Sequence, residues 1–201
     1  MARVRIGTIG WLFAGWDRTY YPEDIPQEWK LGYYANELTA VVVPEDQWIQ
    51  ADPDQLEEMV EDVYEDFGFY FQIKTHWPTA QQCEHLKSIF AENFFGFLVD
   101  AESVKLPADV DYSDFIFPAC LYPGSGCSWS QLGSQLERAV SSDCVIRVTA
   151  EADLRLLKQH FEQLAEVVDF SRDVLILVDV AEPDPDFIRQ LRTLLELMMI
   201  A

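Results

Sequence analysis

Short apolar runs alternate along the chain with longer stretches whose apolar side chains recur every three or four positions. Such alternation reads as strand, helix, strand, helix. The opening stretch, Arg5 to Trp16, is a buried first strand that runs into an aromatic, glycine-marked loop and a Tyr20-Tyr21-Pro22 turn. A first helix is expected near Pro26, a residue suited to the first helical position, with Trp29, Tyr33 and Leu38 facing inward. Thr39-Ala-Val-Val-Val-Pro44 is apolar and β-branched at nearly every position, as in a strand covered on both faces. Asp52-Pro53-Asp54-Gln55 is a strong helix start, and Leu56, Met59, Val60, Val63, Tyr64 and Phe67 form the stripe of that helix.

Gly68 stops it, and Phe69 to Lys74 is the third strand. Thr79 with Gln82 is a second capping box, opening a helix with Cys83, Leu86 and Phe90 inward. Phe94 to Val99 is the fourth strand, and Ala101 to Ser113 shows no clear stripe. Phe115 to Leu121 is expected as one fifth strand made irregular by Pro118, which lacks a backbone donor. A helix capped by Ser128 carries Trp129, Leu132, Leu136 and Val140 on one side. Cys144 to Thr149 is the sixth strand, followed by a helix with Leu154, Leu157, Phe161, Leu164 and Val168 inward. Asp173 to Asp179 is the seventh, and Asp184-Pro185 opens a last helix striped by Phe187, Leu191, Leu194, Leu195 and Met198.

About seven strands alternating with about six helices imply parallel strands joined by right-handed crossovers. A (β/α) barrel and an open doubly wound sheet both satisfy this pattern. Gly7, Gly10 and Gly15 have the wrong spacing for a dinucleotide fingerprint, and no Walker loop occurs. The expected fold is therefore a single α/β domain over residues 1–201: a TIM-like (β/α) barrel, reduced or incomplete.

Composition adds limits. The 201 residues are 49% hydrophobic, which only a packed core can hide. Thirty-five acidic against 14 basic residues give a net charge of −21, a surface that repels nucleic acid and anionic membranes. The plain reading is an acid-rich surface that keeps the protein in solution, and the sharper one is an acidic face that docks a basic protein partner. Cys83, Cys120 and Cys144 sit in apolar runs, Cys127 sits in a loop, and none forms a Cys-x-x-Cys pair. A bond between Cys120 and Cys127 is neither demanded nor excluded. Reduced thiols and the lack of a signal-like apolar start point to the cytoplasm.

Ile6-Gly-Thr-Ile-Gly-Trp11, Gly15-Trp16, Tyr21-Pro22 and Tyr33-Tyr-Ala35, with Phe69 to His76 further on, resemble the YecE-like family, the domain-of-unknown-function family seventy-two. The resemblance spans about residues 5–76. It implies a TIM-barrel-like fold and no settled activity, and it marks this chain as a divergent and shortened member. The family's second strand usually carries Val-Glu-x-Asn and then Thr-Phe-Tyr. Here those positions are Val41-Val-Val-Pro44 and Asp46-Gln-Trp48, so Val42 replaces the acid and Pro44 the amide. A valine neither moves a proton nor binds a cation, although Glu45 or Asp46 lies close by in the chain.

In parallel α/β folds chemistry collects at the carboxyl ends of strands. That rule selects Trp11, Glu45, Asp46, Lys74, His76, Asp100, Glu102, Arg147, Thr149, Asp179 and Glu182. Lys74 and Arg147 are lone cations in apolar strands and need carboxylate partners, with Asp100 and Asp179 as natural ones. An enzyme would cluster Lys74, His76, Arg147 and Asp179 at the barrel mouth around a small anionic metabolite, with His76 exchanging protons and Trp11 over the ligand. In a non-catalytic module the same groups would be strand-end ion pairs. Trp11 and Trp16 would stack on a planar ligand or pack over the barrel end. Ser125 lacks a nucleophile-elbow context. His76, His85 and His160 have no paired spacing, so no metal and no cofactor is expected. The preferred reading is a binding or interaction module, with an enzyme on a small anionic metabolite as the alternative. An uncovered sheet edge would favour a homo-oligomer.

Overall fold

The computed structural model describes residues 4–99, 115–116, 119–121, 144–148, 153–165 and 173–198. Its strands are β1 (Val4–Ile9), β2 (Ala40–Val43), β3 (Gly68–Ile73), β4 (Phe94–Val99), β5 (Phe115–Ile116), β6 (Ala119–Leu121), β7 (Cys144–Val148) and β8 (Val174–Val178). The described helices are α1 (Lys30–Ala35), α2 (Glu45–Gln50), α3 (Pro53–Glu61), α4 (Ala80–Phe90), α5 (Leu154–Ala165) and α6 (Pro185–Leu197). None of them is long and apolar enough to cross a membrane. The expected helix from Ser128 and the segment from Ala101 to Ser113 lie outside the described residues, as does the Pro123–Cys127 loop.

Every ladder is parallel, and the order is β5-β4-β3-β2-β1-β8-β7-β6. β1 is central, with β2 to β5 added outward on one side and β8 back to β6 on the other. Six full strands carry the sheet. The count of seven is corrected by the run from Phe115 to Leu121, which is two short strands at opposite edges. β5 pairs with β4 and β6 with β7. Pro118, the residue expected to weaken this run, falls between the two pieces in sequence and lies outside the described residues.

The two faces of the sheet bury different partners. Val41, Val43, Phe69, Phe71, Phe97, Ile146 and Ile176 pack in one cluster with helix residues such as Leu56, Leu86, Phe161 and Leu191. On the other face Ala40, Val42, Tyr70, Leu98, Val145, Leu175 and Leu177 are at most 4% exposed, and every member of this cluster comes from a strand. Strand side chains that bury one another on a single face fit a sheet that curls over itself. Arg5 supports this independently. β1 and β4 are three strand spacings apart, about 14 Å in a flat sheet, yet the Arg5 guanidinium lies 3.8 Å from the centre of the Phe95 ring.

The local signals behave as chemistry requires. Asp52 and Gln55 form a complete capping box on α3, and Thr79 and Gln82 form one on α4. Asp184 accepts from the Asp186 amide at the start of α6. The first helix departs from expectation. Gln27–Trp29 is a 3-10 turn, and α1 turns Leu31, Tyr34 and Ala35 inward, so Trp29 is left 65% exposed. Tyr34 earns its place by hydrogen bonding. Its hydroxyl donates to the Ala40 carbonyl at 2.8 Å and accepts from the Thr8 amide at 3.0 Å, joining α1 to β1 and β2. Burial pushes its phenol well above the usual range, although its hydrogen bonds with Thr8 pull the other way. It stays neutral. The β1–α1 loop is packed rather than open. Trp16 is 1% exposed, touches Phe13 and Tyr20, and donates Nε1 to the Pro183 carbonyl at 2.6 Å.

Candidate functional site

Asp179 follows β8 on the face that carries Leu175 and Leu177. Arg147 shares that face on the neighbouring β7, so strand alternation alone points the two side chains together. Arg147 Nε donates to Asp179 Oδ2 at 2.7 Å, and Nη2 donates to the same oxygen. Both side chains are about one-fifth exposed, at 21% and 22%. The ion pair expected between these two residues is present at the carboxyl-end rim.

The other half of the expected cluster does not join it. β3 ends at Ile73, so Lys74 stands past the strand and is exposed, as is His76. The idea of Lys74 as a buried strand cation is therefore corrected: one residue of strand length separates burial from solvent. Among the described residues its ammonium has no carboxylate partner. β2 and β1 lie between β3 and β8, and no described contact links Lys74 or His76 to Arg147 or Asp179. Trp11 is 6% exposed, and its carbonyl accepts from Tyr21 Oη at 2.6 Å. Glu182 accepts from the Gly15 amide at 3.2 Å beside a 350 Å³ pocket that includes Trp16 and Thr19. Asp100, Glu102 and Thr149 lie outside the described residues.

Glu45 is what the loop after β3 is built on. It opens α2, a helix absent from the sequence-based expectation, and its side chain is buried against residues 74–76. The Lys74 amide donates to its Oε2, the Thr75 amide donates at 2.9 Å, and the His76 amide donates at 3.2 Å. Thr75 Oγ1 donates to Oε1. Three successive amides around one anion form a nest, and here the anion belongs to the chain. Burial alone would raise this carboxyl, but the Thr75 hydroxyl and the three amides outweigh it and hold Glu45 below the usual carboxylate range. Val42 is fully buried on the inner face. Glu45, three residues on, is a rim carboxylate that is already engaged.

A depressed carboxyl contributes stability above its unfolded value, about 4.3, and loses it as pH falls through the lower folded value. Glu45→Gln is expected to cost about 2 kcal/mol at pH 7, because a neutral amide accepts more weakly and places its NH₂ against donors. The loss should shrink below pH 4. Urea unfolding of both proteins from pH 7 to pH 3 measures it, and equal stabilities at pH 7 would disprove the clasp.

Sequence reasoning also missed Gln72 and Arg5. Gln72 is on the inner face beneath the rim, 4% exposed, and its carbonyl accepts from Trp48 Nε1 at 2.9 Å. Its Oε1 is buried with no hydrogen-bond partner among the described residues. Period-two alternation from Tyr70 would have placed it there.

The profile of the family described as "Protein of unknown function DUF72" matches residues 5–105. The chain belongs to the DUF72 family. The match extends the likeness seen over residues 5–76 and leaves the later half without a family counterpart in sequence, as a divergent member would. A DUF72 family protein from Thermotoga maritima aligns with a TM-score of 0.59 at 14% identity, covering 96% of this chain and 99% of that one. Another, from Enterococcus faecalis, gives 0.55 at 10% identity over 100% and 99%. A putative dihydrodipicolinate synthase family protein from Coccidioides immitis gives 0.50 at 14% identity over 100% and 75%. At such identities the likeness concerns fold alone, and it places this DUF72 sheet beside neighbours of TIM-barrel type. No curated protein matches the sequence.

Proposed function

We propose that this DUF72 protein is a binding or interaction module, without catalysis at the rim of its sheet. The engaged Glu45 carboxylate carries the reading. The amides of residues 74–76 are where an anionic substrate beside Lys74 and His76 would be held, and the chain's own acid fills them. Arg147, the other expected anion ligand, is neutralised by Asp179. Val42 supplies no base. We place the module in the cytoplasm, with no cofactor, on a (β/α) barrel that closes between β5 and β6. Only two residues separate Ile116 from Ala119, and three Cα steps span at most about 11 Å. The two edges of the curled sheet therefore lie near each other.

The rival reading is an enzyme acting on a small anionic metabolite through Lys74, His76, Arg147 and Asp179. A thermal-shift screen separates the two. Inorganic phosphate and sets of phosphorylated and carboxylated metabolites are tested on the wild type, Lys74→Ala and Arg147→Ala. The module reading expects no shift above about 1 °C from any of them. A shift of several degrees that either substitution abolishes would establish anion binding at the rim and favour the enzyme.

A further inference from the structure

A further open surface follows the ends of β1 and β2, and none of Lys74, His76, Arg147 and Asp179 lines it. The β1–α1 loop, the Gln27–Trp29 turn, α2 and α3 enclose a groove of about 980 Å³. Trp11, Leu12, Trp29, Leu31 and Met59 supply its apolar lining. Two of these are poorly covered: Trp29 is 65% and Leu12 is 40% exposed. An exposed tryptophan beside an exposed leucine is costly to leave in water, and such patches mark interaction surfaces. Tryptophan is also the residue most often found to anchor one.

Charge around the groove has one sign. Glu28, Asp46, Glu58 and Asp62 line it, and no lysine or arginine does. From Pro44 to Asp66 the sequence holds no basic residue. Asp62 is pushed above the usual carboxylate range by burial and then by Glu58 and Glu61, so these acids crowd one another. A cation arriving here would relieve that repulsion. Gln47 points to the same chemistry. It lines the groove, and its Oε1 is a buried acceptor with no donor among the described residues.

We infer that this groove docks a basic amphipathic segment of a partner protein, with apolar anchors against Trp29, Leu12 and Met59 and arginine or lysine heads on the surrounding carboxylates. The inference rests on the module reading and gives it a surface. Complementary charge selects this occupant over a second copy, because two chains of −21 repel each other. Lysine and arginine stems also cover apolar surface while their heads reach the acids, which suits a groove with both characters.

The test uses three synthetic peptides of equal length. One alternates leucine and arginine at helical spacing, one replaces each arginine by glutamate, and one is arginine without leucine. Titrations are read by tryptophan fluorescence and calorimetry on the full chain. The leucine–arginine peptide is expected to bind most tightly and the leucine–glutamate peptide not at all. Trp29→Ala, and separately Glu58→Gln/Asp62→Asn, should each weaken binding about tenfold. Glu84→Gln/Glu92→Gln removes the same charge from the exposed surface of another part of the molecule and should change it less than twofold. All these side chains are exposed, and an unchanged melting temperature verifies the folding of each variant.

No binding of the leucine–arginine peptide overturns the inference, as does equal binding to all variants. So does a concentration-dependent dimer in sedimentation that Trp29→Ala abolishes, since the occupant would then be a second copy. The metabolite screen is independent of these results. Silent peptides with a silent screen defeat the groove and spare the module reading. A rim response lost in Arg147→Ala defeats the module reading whatever the peptides do.

Discussion

Gly7→Ala is expected to cost at least about 3 kcal/mol, a large part of the stability of a domain this size. Gly7 lies in β1 opposite Ala40 of β2. A Cβ built on it would stand 2.3 Å from the Ala40 carbonyl oxygen and 2.8 Å from its carbon. Those atoms are backbone, so no rotamer change relieves the clash. The strands must separate instead, in the sheet's central ladder, next to the hydrogen bonds that Tyr34 makes with Thr8 and Ala40. Overpacking of this kind commonly costs 1–3 kcal/mol and more when backbone must move. Gly10→Ala is the matched control. Gly10 has φ of +78° but an open neighbourhood, its hypothetical Cβ meeting only the Pro44 ring at 3.4 Å. That substitution should cost about 1–2 kcal/mol, the conformational term alone. Urea midpoints of both variants decide it. A Gly7→Ala protein as stable as Gly10→Ala would mean that β1 and β2 are not packed at this spacing.

Much of the strand pattern was legible because burial on both faces leaves a plain mark. Val41 to Val43 and Val174 to Val178 have no polar residue to place, and both are fully covered strands. The capping boxes at Asp52 and Thr79 were equally plain, since their side-chain chemistry is local and owes nothing to distant packing. Where the tertiary structure decides, sequence gave the wrong face. Trp29 looks like a core residue by type, yet a 3-10 turn precedes α1 and shifts the inward stripe to Leu31, Tyr34 and Ala35. Phe115 to Leu121 looks continuous because its apolar residues are. Nothing local says that its two ends pair with strands at opposite edges of the sheet.

The site was harder to read for a related reason. Arg147 and Asp179 were found because both occupy strand ends in neighbouring units. Lys74 was assigned to a strand that stops one residue earlier, which reverses its environment. Glu45 carried a usable signal: an acid directly after Pro44 at a helix start. What it binds could not be foreseen, because its donors are amides of residues 74–76 on the next strand's loop. Arg5 opens the stretch read as the first strand, and no role falls to it from type alone. Alternation with Gly7 and Ile9 would have placed it on the inner face.

That buried arginine sets the second large expectation. Arg5 is 5% exposed, its Nη1 lies 2.9 Å from Asp173 Oδ2, and its guanidinium lies over Phe95. Its Nε is buried with no hydrogen-bond partner among the described residues, so the charge is incompletely compensated even in the native fold. Removing the carboxylate leaves the guanidinium in a low-dielectric site with the aromatic face as its main relief, a loss typically near 3 kcal/mol or more. Asp173→Ala is therefore expected to destabilise by about 3 kcal/mol. Arg5→Met is the gentler change, below about 1.5 kcal/mol, because methionine keeps apolar contact with Phe95 and leaves Asp173, whose side chain is 30% exposed, reachable by water. The double variant Arg5→Met/Asp173→Ala should then lie within about 1 kcal/mol of Arg5→Met, since with the cation gone the loss of the acid no longer strands a buried charge. Such a cycle gives a coupling near 2 kcal/mol, measured by urea unfolding so that the denaturant adds no salt. Simple additivity of the two single losses would show that the pair is not what holds Arg5 inside the curled sheet.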